Sequence, residues 1–347
     1  MKRPGAGRGV LVASLLATAA CSHASARPAA GPHAVVNPVV LQRADPSVYR
    51  HTDGFYYLTD SVPDFDGVEL RRATTLEGLA TAVPVMLFHR PATGPQSGWI
   101  WAPDLEYDAG IWYLHYSASP SADRLDQRLY TMETTAADPL TGAWKQDGEL
   151  RTGWESYATD PTSFTSTDGR SYLVWGQKTP GTQGESAIYI GLLGTPTSLL
   201  GTQVQLSAPQ YPWEEDGVIA NAAPAVLQSH GRVFVTYSAG APDASYAMGL
   251  LSAPVAANPL DPTSWTKSPT PVFVTSAASS VYGPGSNSFT LSDGGGDVVD
   301  LYAARSSPEV SDPLTDPHRN LGMQRVSWLP DGTPDLGTPV PDGPTPE

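Results

Sequence analysis

Three positions carry the chemistry this sequence offers, and at one of them the chemistry is missing. Asp45, Asp160 and Ala222 stand nine residues before Gly54, Gly169 and Gly231. The segments read Ala44-Asp45-Pro46-Ser47-Val48, Thr159-Asp160-Pro161-Thr162-Ser163-Phe164 and Asn221-Ala222-Ala223-Pro224-Ala225-Val226. Each has a proline within two places, an apolar run, and a glycine in a polar turn. Equivalent positions of an internal repeat face the same way, so two carboxylates and one methyl group are expected to look into a shared space. Cleavage of a glycosidic bond uses such facing carboxyls, one to activate water and one to protonate the departing oxygen. An isolated Asp-Pro is more often a turn whose Asp bonds its own backbone. The repetition favours the inward reading.

The elements that must position these residues recur five times. The copies are Thr52-Asp53-Gly54-Phe55-Tyr56-Tyr57-Leu58, Asp108-Ala109-Gly110-Ile111-Trp112-Tyr113-Leu114, Thr167-Asp168-Gly169-Arg170-Ser171-Tyr172-Leu173, Ser229-His230-Gly231-Arg232-Val233-Phe234-Val235, and Ser292-Asp293-Gly294 leading to Val298-Val299. Gly after Asp or His between apolar runs signals a hairpin, because tight turns need positive φ. The aromatic and β-branched runs that follow suit half-buried strands. A second landmark, Asp138-Pro139-Leu140 to Trp144 and Asn258-Pro259-Leu260 to Trp265, recurs late in two repeats. No stretch sustains a 3.6-residue apolar period, so helices should be minor. Five equal repeats predict an all-β, five-bladed β-propeller with its site at the central channel. A β-sandwich with similar hairpins is the competing reading.

Composition agrees with many short strands and turns: 33 Gly, 34 Pro and only 16% charged residues in 347. A net charge of −15 argues against nucleic acid or an anionic membrane surface as partner. Met1 to Arg8 is basic and Val10 to Ala20 is a short apolar core, the pattern of an export signal over residues 1–26. Leu16-Ala17-Thr18-Ala19-Ala20-Cys21 matches a lipoprotein box, preferred because Cys21 is the single cysteine. Ala24-Ser25-Ala26 is the alternative cleavage site. The product is expected to be exported, lipid-anchored through Cys21 or secreted. Residues 27–37 read as a flexible tether, 38–340 as the propeller and 341–347 as a tail.

The ordered set of segments resembles glycoside hydrolase family 43, in particular its arabinan-directed α-L-arabinofuranosidases. The resemblance runs from Asn37 to about Val340. It rests on Arg43-Ala44-Asp45-Pro46-Ser47-Val48, Ile100-Trp101-Ala102-Pro103-Asp104-Leu105, Thr159-Asp160-Pro161-Thr162, Ala223-Pro224-Ala225-Val226-Leu227 with Thr236-Tyr237-Ser238-Ala239, Tyr282-Gly283-Pro284-Gly285 with Asn287-Ser288-Phe289, and Asp331-Gly332-Thr333-Pro334-Asp335. It implies a five-bladed propeller and inverting hydrolysis, with Asp45 as general base and Asp160 as the acid that orients the site and tunes the donor.

The same resemblance exposes departures. The family's proton donor is a Glu in an Asn-Glu-Gly-Pro-Ala-Val run, here Asn221-Ala222-Ala223-Pro224-Ala225-Val226. Its central His is here Ser286, its Tyr-His-Ala-Arg is Tyr302-Ala303-Ala304-Arg305, and its final Arg-His-Thr-Arg is Arg319-Asn320-Leu321-Gly322. Glu214 or Glu215, in Trp213-Glu214-Glu215-Asp216, is a weak substitute for the missing acid, against the reading of a solvated acidic turn. Loss of a positioned general acid costs about 10²–10⁴-fold, and less for activated aryl glycosides, whose leaving groups need no proton.

Trp101 is a candidate stacking platform for a sugar face, with packing between blades as the equal alternative. Trp175 and Gln177 after the third hairpin, together with Tyr282 and Arg319, are further candidates for substrate binding. His115 reads as a packing residue, and the seven His show no metal-ligand spacing. No metal or cofactor is expected, although the resemblance leaves room for a structural ion in the channel. The expected function is a monomeric hydrolase of α-L-arabinofuranosides or related hemicellulose, such as arabinan or arabinoxylan, with impaired catalysis. The alternative is a non-catalytic carbohydrate-binding propeller derived from such an enzyme.

Overall fold

Each of the five hairpins joins the first two strands of a blade. The computed structural model describes residues 34–346. Blade 1 comprises Ala44–Arg50, Tyr56–Ser61, Gly67–Ala73 and Val85–His89; blade 2 comprises Ile100–Asp108, Ile111–Ala118, Arg128–Thr134 and Lys145–Glu149. Blade 3 is Ala158–Thr165, Ser171–Gln177, Ala187–Thr195 and Ser198–Ser207. Blade 4 is Asn221–Ser229, Arg232–Ala239, Ala247–Pro254 and Thr266–Lys267, and blade 5 is Tyr282–Leu291, Val298–Arg305 and Asn320–Arg325. All pairings within blades are antiparallel. The first strand of each blade adjoins the first strand of the next, and that of blade 5 returns to that of blade 1. This is a closed five-bladed β-propeller.

Local chemistry explains the turns. In blade 1, Asp53 Oδ1 accepts from Phe55 N at 2.9 Å and Oδ2 from the Tyr57 hydroxyl at 2.7 Å. Asp168 in blade 3 accepts from Arg170 N at 3.1 Å in the same way. The late landmark also repeats as structure: the Trp144 and Trp265 indoles donate to the Pro139 and Pro259 carbonyls at 2.9 and 3.0 Å. Between blades 1 and 2, Trp112 is buried against Tyr57 and Tyr107, with ring centroids 4.9 and 4.7 Å apart. Losing such a ring typically costs about 3–5 kcal/mol. The one α-helix among the described residues, Leu76–Leu79, is a single turn capped by Thr75.

Closure corrects two boundaries. The tether reading extended to residue 37, but Ala34–Asn37 is a strand paired with Gly343–Pro346, inside the assigned tail. Asn37 is buried; its Nδ2 donates to the Met323 carbonyl at 2.8 Å and its Oδ1 accepts from Met323 N at 2.9 Å. Val39 N donates to Leu321 O and Leu321 N to Val40 O, so residues before blade 1 edge the three-stranded blade 5. Both ends are small and Pro-rich, and this composition hid pairing that depends on partners about 300 residues away. The export segment and Cys21 lie outside the described residues.

One backbone feature recurs in every blade and positions the site. Asp45, Ala102, Asp160, Ala223 and Ser286 have φ of 52°, 46°, 54°, 47° and 48°. Each lies where the register between the first two strands breaks. A bulge of this kind re-aims side chains, and a left-handed non-glycine residue costs roughly 1–2 kcal/mol. Proline follows in the first four blades, occupying a position whose missing N–H is tolerated because the ladder is already interrupted.

This repeat corrects the equivalence drawn from spacing. The backbone counterpart of Asp45 and Asp160 is Ala223, and Ala222 corresponds to the preceding residues Ala44, Trp101 and Thr159. The nine-residue spacing misled because turn lengths differ. Blades 1 and 3 close with loops between Arg50 and Tyr56 and between Thr165 and Ser171, whereas blade 4 closes tightly between Ser229 and Arg232.

Candidate active site

Asp45, Asp160 and Ala222 nevertheless line one funnel. Its volume is about 480 Å³, and Trp101, Tyr246 and Arg319 share its wall. Asp45, Asp160 and Ser286 also line an adjoining cavity of about 300 Å³ with Asp104 and Glu106. The two carboxylates therefore sit at the waist between funnel and channel.

Each is held by different means. The Ser61 hydroxyl donates to Asp45 Oδ2 at 2.7 Å and accepts from Ala102 N at 2.8 Å. The Arg319 guanidinium lies 3.3 Å from Asp45 Oδ1. Asp160 accepts from the Thr159 hydroxyl at 2.9 Å and from Ala223 N at 2.9 Å. Burial, and then the negative charge of Asp45, push the Asp160 carboxyl up to about 7. Blade 4 thus brings a backbone donor to its neighbour's carboxylate. Its own side chains here are two methyl groups.

The remaining sequence candidates divide. Trp101 and Arg319 line the funnel. Trp101 also packs edge-on to Phe65, with centroids 6.3 Å apart. Trp175 and Gln177 do not line it: both are fully buried, with the Trp175 indole donating to Gln177 Oε1 at 2.9 Å and Gln177 Nε2 to Thr152 at 2.7 Å. They belong to blade 3's middle strand and order the segment entering that blade. Tyr282, opposite Arg305 at the start of blade 5, is also outside the funnel lining.

Glu214 is not a substitute acid. It is fully buried, accepts from Gln210 N, Tyr211 N, Asn221 Nδ2 and the Tyr237 hydroxyl, and pairs with Lys267 at 2.6 Å. These contacts engage both oxygens in anchoring the strand that bears Ala222. Glu215 is exposed and does not line the funnel. Gly322 is not an inward vacancy for a lost Arg, because a Cβ there would meet the Tyr302 ring at 2.7 Å.

Two participants escaped sequence reasoning. Ser61 lies one strand away from Asp45, at the place held by Ser117 and Ser238 in blades 2 and 4. The repeated Tyr116-Ser117-Ala118 and Tyr237-Ser238-Ala239 were the available signal. Glu185 lines the funnel, is exposed, and pairs with Lys178 at 3.2 Å. The Ser286 hydroxyl lies 3.4 Å from that of Tyr246, and among the described residues no group of three or more His, Cys, Asp or Glu is arranged to hold a metal. Buried His115 bonds Thr131 at 2.9 Å through Nδ1, and its Nε2 lies 3.8 Å from Glu106 Oε2.

Comparison with known proteins agrees with this geometry. The model of glycosyl hydrolases family 43 matches residues 35–334. An extracellular exo-α-(1→5)-L-arabinofuranosidase of Streptomyces avermitilis is 42% identical over 96% of this chain and 69% of its own length. α-L-Arabinofuranosidase 43 of Humicola insolens is 43% identical over 97% of this chain and 69% of its own. The crystal structure of an α-L-arabinofuranosidase from Lactobacillus brevis superposes with a TM-score of 0.86 at 41% identity, covering 89% of this chain and 98% of that one. The chain belongs to glycosyl hydrolase family 43.

Proposed function

We propose that the funnel binds an α-L-arabinofuranosyl group and that it keeps the base and the orienting acid of a hydrolase but lacks the proton donor. Asp45, held by Ser61 and Arg319, is the base that takes a proton from water attacking the anomeric carbon. Asp160 orients the sugar and keeps a second carboxyl close by. The observation that carries this reading is the meeting of Asp45 and Asp160 with Ala222 in one funnel. A methyl cannot protonate the departing oxygen. Hydrolysis of sugar–sugar linkages should then be slower by about 10²–10⁴-fold than with an acid in place.

Arabinofuranosidase activity of the relatives supports the choice of sugar, and arabinan or arabinoxylan-like chains are the proposed polymers. Two relatives, from Streptomyces avermitilis and Streptomyces chartreusis, are described as extracellular. Export through the basic and apolar N-terminus, with lipid attachment at Cys21, is the matching proposal for this chain.

The test is arabinose release from linear arabino-oligosaccharides, with sugar affinity measured in parallel. The hydrolase reading expects slow release that Asp45→Asn abolishes. Affinity without any release, changed only modestly by Asp45→Asn, would establish the carbohydrate-binding alternative instead.

A further inference from the structure

Besides the Lys178–Glu185 pair and the carboxylates, the funnel lining includes exposed or half-exposed apolar side chains. Leu125 comes from the loop that leaves blade 2's second strand, Val218 from the segment entering blade 4, and Leu314 from the loop after Arg305. All three line the cavity that holds Asp45, Asp160 and Ala222. Two of the loops are built rather than loose. Arg124 pairs with Asp312, tying the loop of Leu125 to that of Leu314. Arg305, 4% exposed, pairs with Asp316 at 2.6 Å and donates to the Pro313 carbonyl at 3.0 Å. Leu125 is 47% exposed, so its side chain is accessible from the funnel.

A sugar leaving group is an alcohol, and its alkoxide departs poorly without a proton. A phenol departs readily as phenolate. An apolar mouth and a missing donor therefore select for the same chemistry. Resting on the furanosyl reading of the funnel, we propose that this chain takes α-L-arabinofuranosides whose aglycone is a phenol. The aromatic ring lies against Leu125, Val218 and Leu314 while the furanose reaches Asp45. Water adds to the anomeric carbon as Asp45 accepts its proton. The bond from that carbon to the phenolic oxygen breaks, its electron pair leaves on the oxygen, and the phenolate takes a proton from solvent. The products are arabinose and the free phenol.

The experiment uses the purified full-length chain. Calorimetry on Asp45→Asn compares methyl and phenyl α-L-arabinofuranoside, with arabinose as reference. The phenyl glycoside should bind about tenfold or more tightly than the methyl, and the double substitution Leu125→Ser with Leu314→Ser should remove that difference while leaving arabinose affinity unchanged. With Asp45 restored, kcat/KM across the 2,4-dinitrophenyl, 4-nitrophenyl and phenyl glycosides should fall steeply as the phenol becomes less acidic. Equal affinity for methyl and phenyl glycosides, or a difference that survives the double substitution, overturns the aromatic mouth. Rates indifferent to phenol acidity overturn unassisted departure. If arabinose itself does not bind, the furanosyl reading fails first and takes this proposal with it.

Discussion

Blades 1 and 3 bring carboxylates to the funnel, whereas blade 4 brings the methyl group of Ala222 and, from Ala223, a backbone N–H for Asp160. All three share the same bulge, left-handed residue and following proline. The scaffold that aims a side chain at the sugar is therefore intact where the side chain has no chemistry. Ala223 N even serves the neighbour, donating to Asp160 at 2.9 Å as Ala102 N does to Ser61. Architecture and side-chain chemistry separate here: the bulge recurs in all five blades whichever side chain it carries.

The sharpest way to break this comparison is to put an acid on each of the two alanines. Ala222→Glu should raise arabinose release from arabino-oligosaccharides by about 10²–10⁴-fold, the usual worth of a positioned general acid. Gly176 stands behind Ala222, a Cβ added there lying 3.6 Å from that of Ala222, so the longer side chain has the funnel to extend into. Ala223→Glu should give no gain, because its left-handed backbone is committed to Asp160 and its side chain lines the channel cavity instead. Equal rates from both variants, read by reducing-sugar release, would show that blade 4 no longer presents either position to the sugar.

A second effect should be smaller. Ser61→Ala removes the donor to Asp45 Oδ2 and the acceptor for Ala102 N at once. A hydrogen bond to a charged group is worth about 1.5–3 kcal/mol, so kcat on an aryl arabinofuranoside should fall by roughly ten- to a hundredfold. KM should hardly move, since the hydroxyl holds the base and not the sugar. A change confined to KM would assign Ser61 to substrate binding. Ser61→Thr, which keeps the hydroxyl, should restore most of the rate.

These contrasts also mark what the sequence made legible. Turn chemistry is local, so the glycine-bearing polar turns could be read in all five blades, as Asp-Gly or His-Gly in four and Asp-Ala-Gly in blade 2, and closure into a propeller followed from their number. Bulge register is not local. A residue added in a loop compensates for one lost in a strand, and counting back from Gly231 lands on Ala222 while the backbone equivalent is Ala223. In sequence Gln177 is a candidate for its place after the third hairpin, and Glu214 for its nearness to the missing acid, and neither signal shows that the side chain is buried. Inside this propeller Glu214 is satisfied by Asn221 and Lys267, and Gln177 by Trp175, Thr152 and Gln203, partners that no spacing rule supplies. Ser61 was missed for the opposite reason, since a serine in a strand carries little signal until its neighbour blade is known.

The smallest prediction compares a buried carboxyl inside the site with one outside it. Asp160 at the waist is pushed up to about 7, and Asp300 in blade 5 to about 8. Burial is the main cause for both; Asp300, fully buried, has the Asn287 amide at 2.8 Å on Oδ1 to offset it. In the unfolded chain each ionises near the ordinary value of about 4. Between that value and its raised folded value the native state holds a proton the unfolded state has released, so stability falls as pH rises. The contribution is complete below pH ~4 and gone above pH ~7 for Asp160 and ~8 for Asp300. Asp300→Asn keeps the shape and removes the ionisation. It should melt a few degrees (~4–8 °C) above the parent at pH 8 and level with it near pH 4, with activity unchanged because Asp300 lines neither cavity. Asp160→Asn should show the same sign of stability change up to pH 7 but lose turnover. If melting curves of Asp300→Asn track the parent at every pH, blade 5 does not hold that carboxyl protonated, and the contrast between site and scaffold loses its electrostatic half.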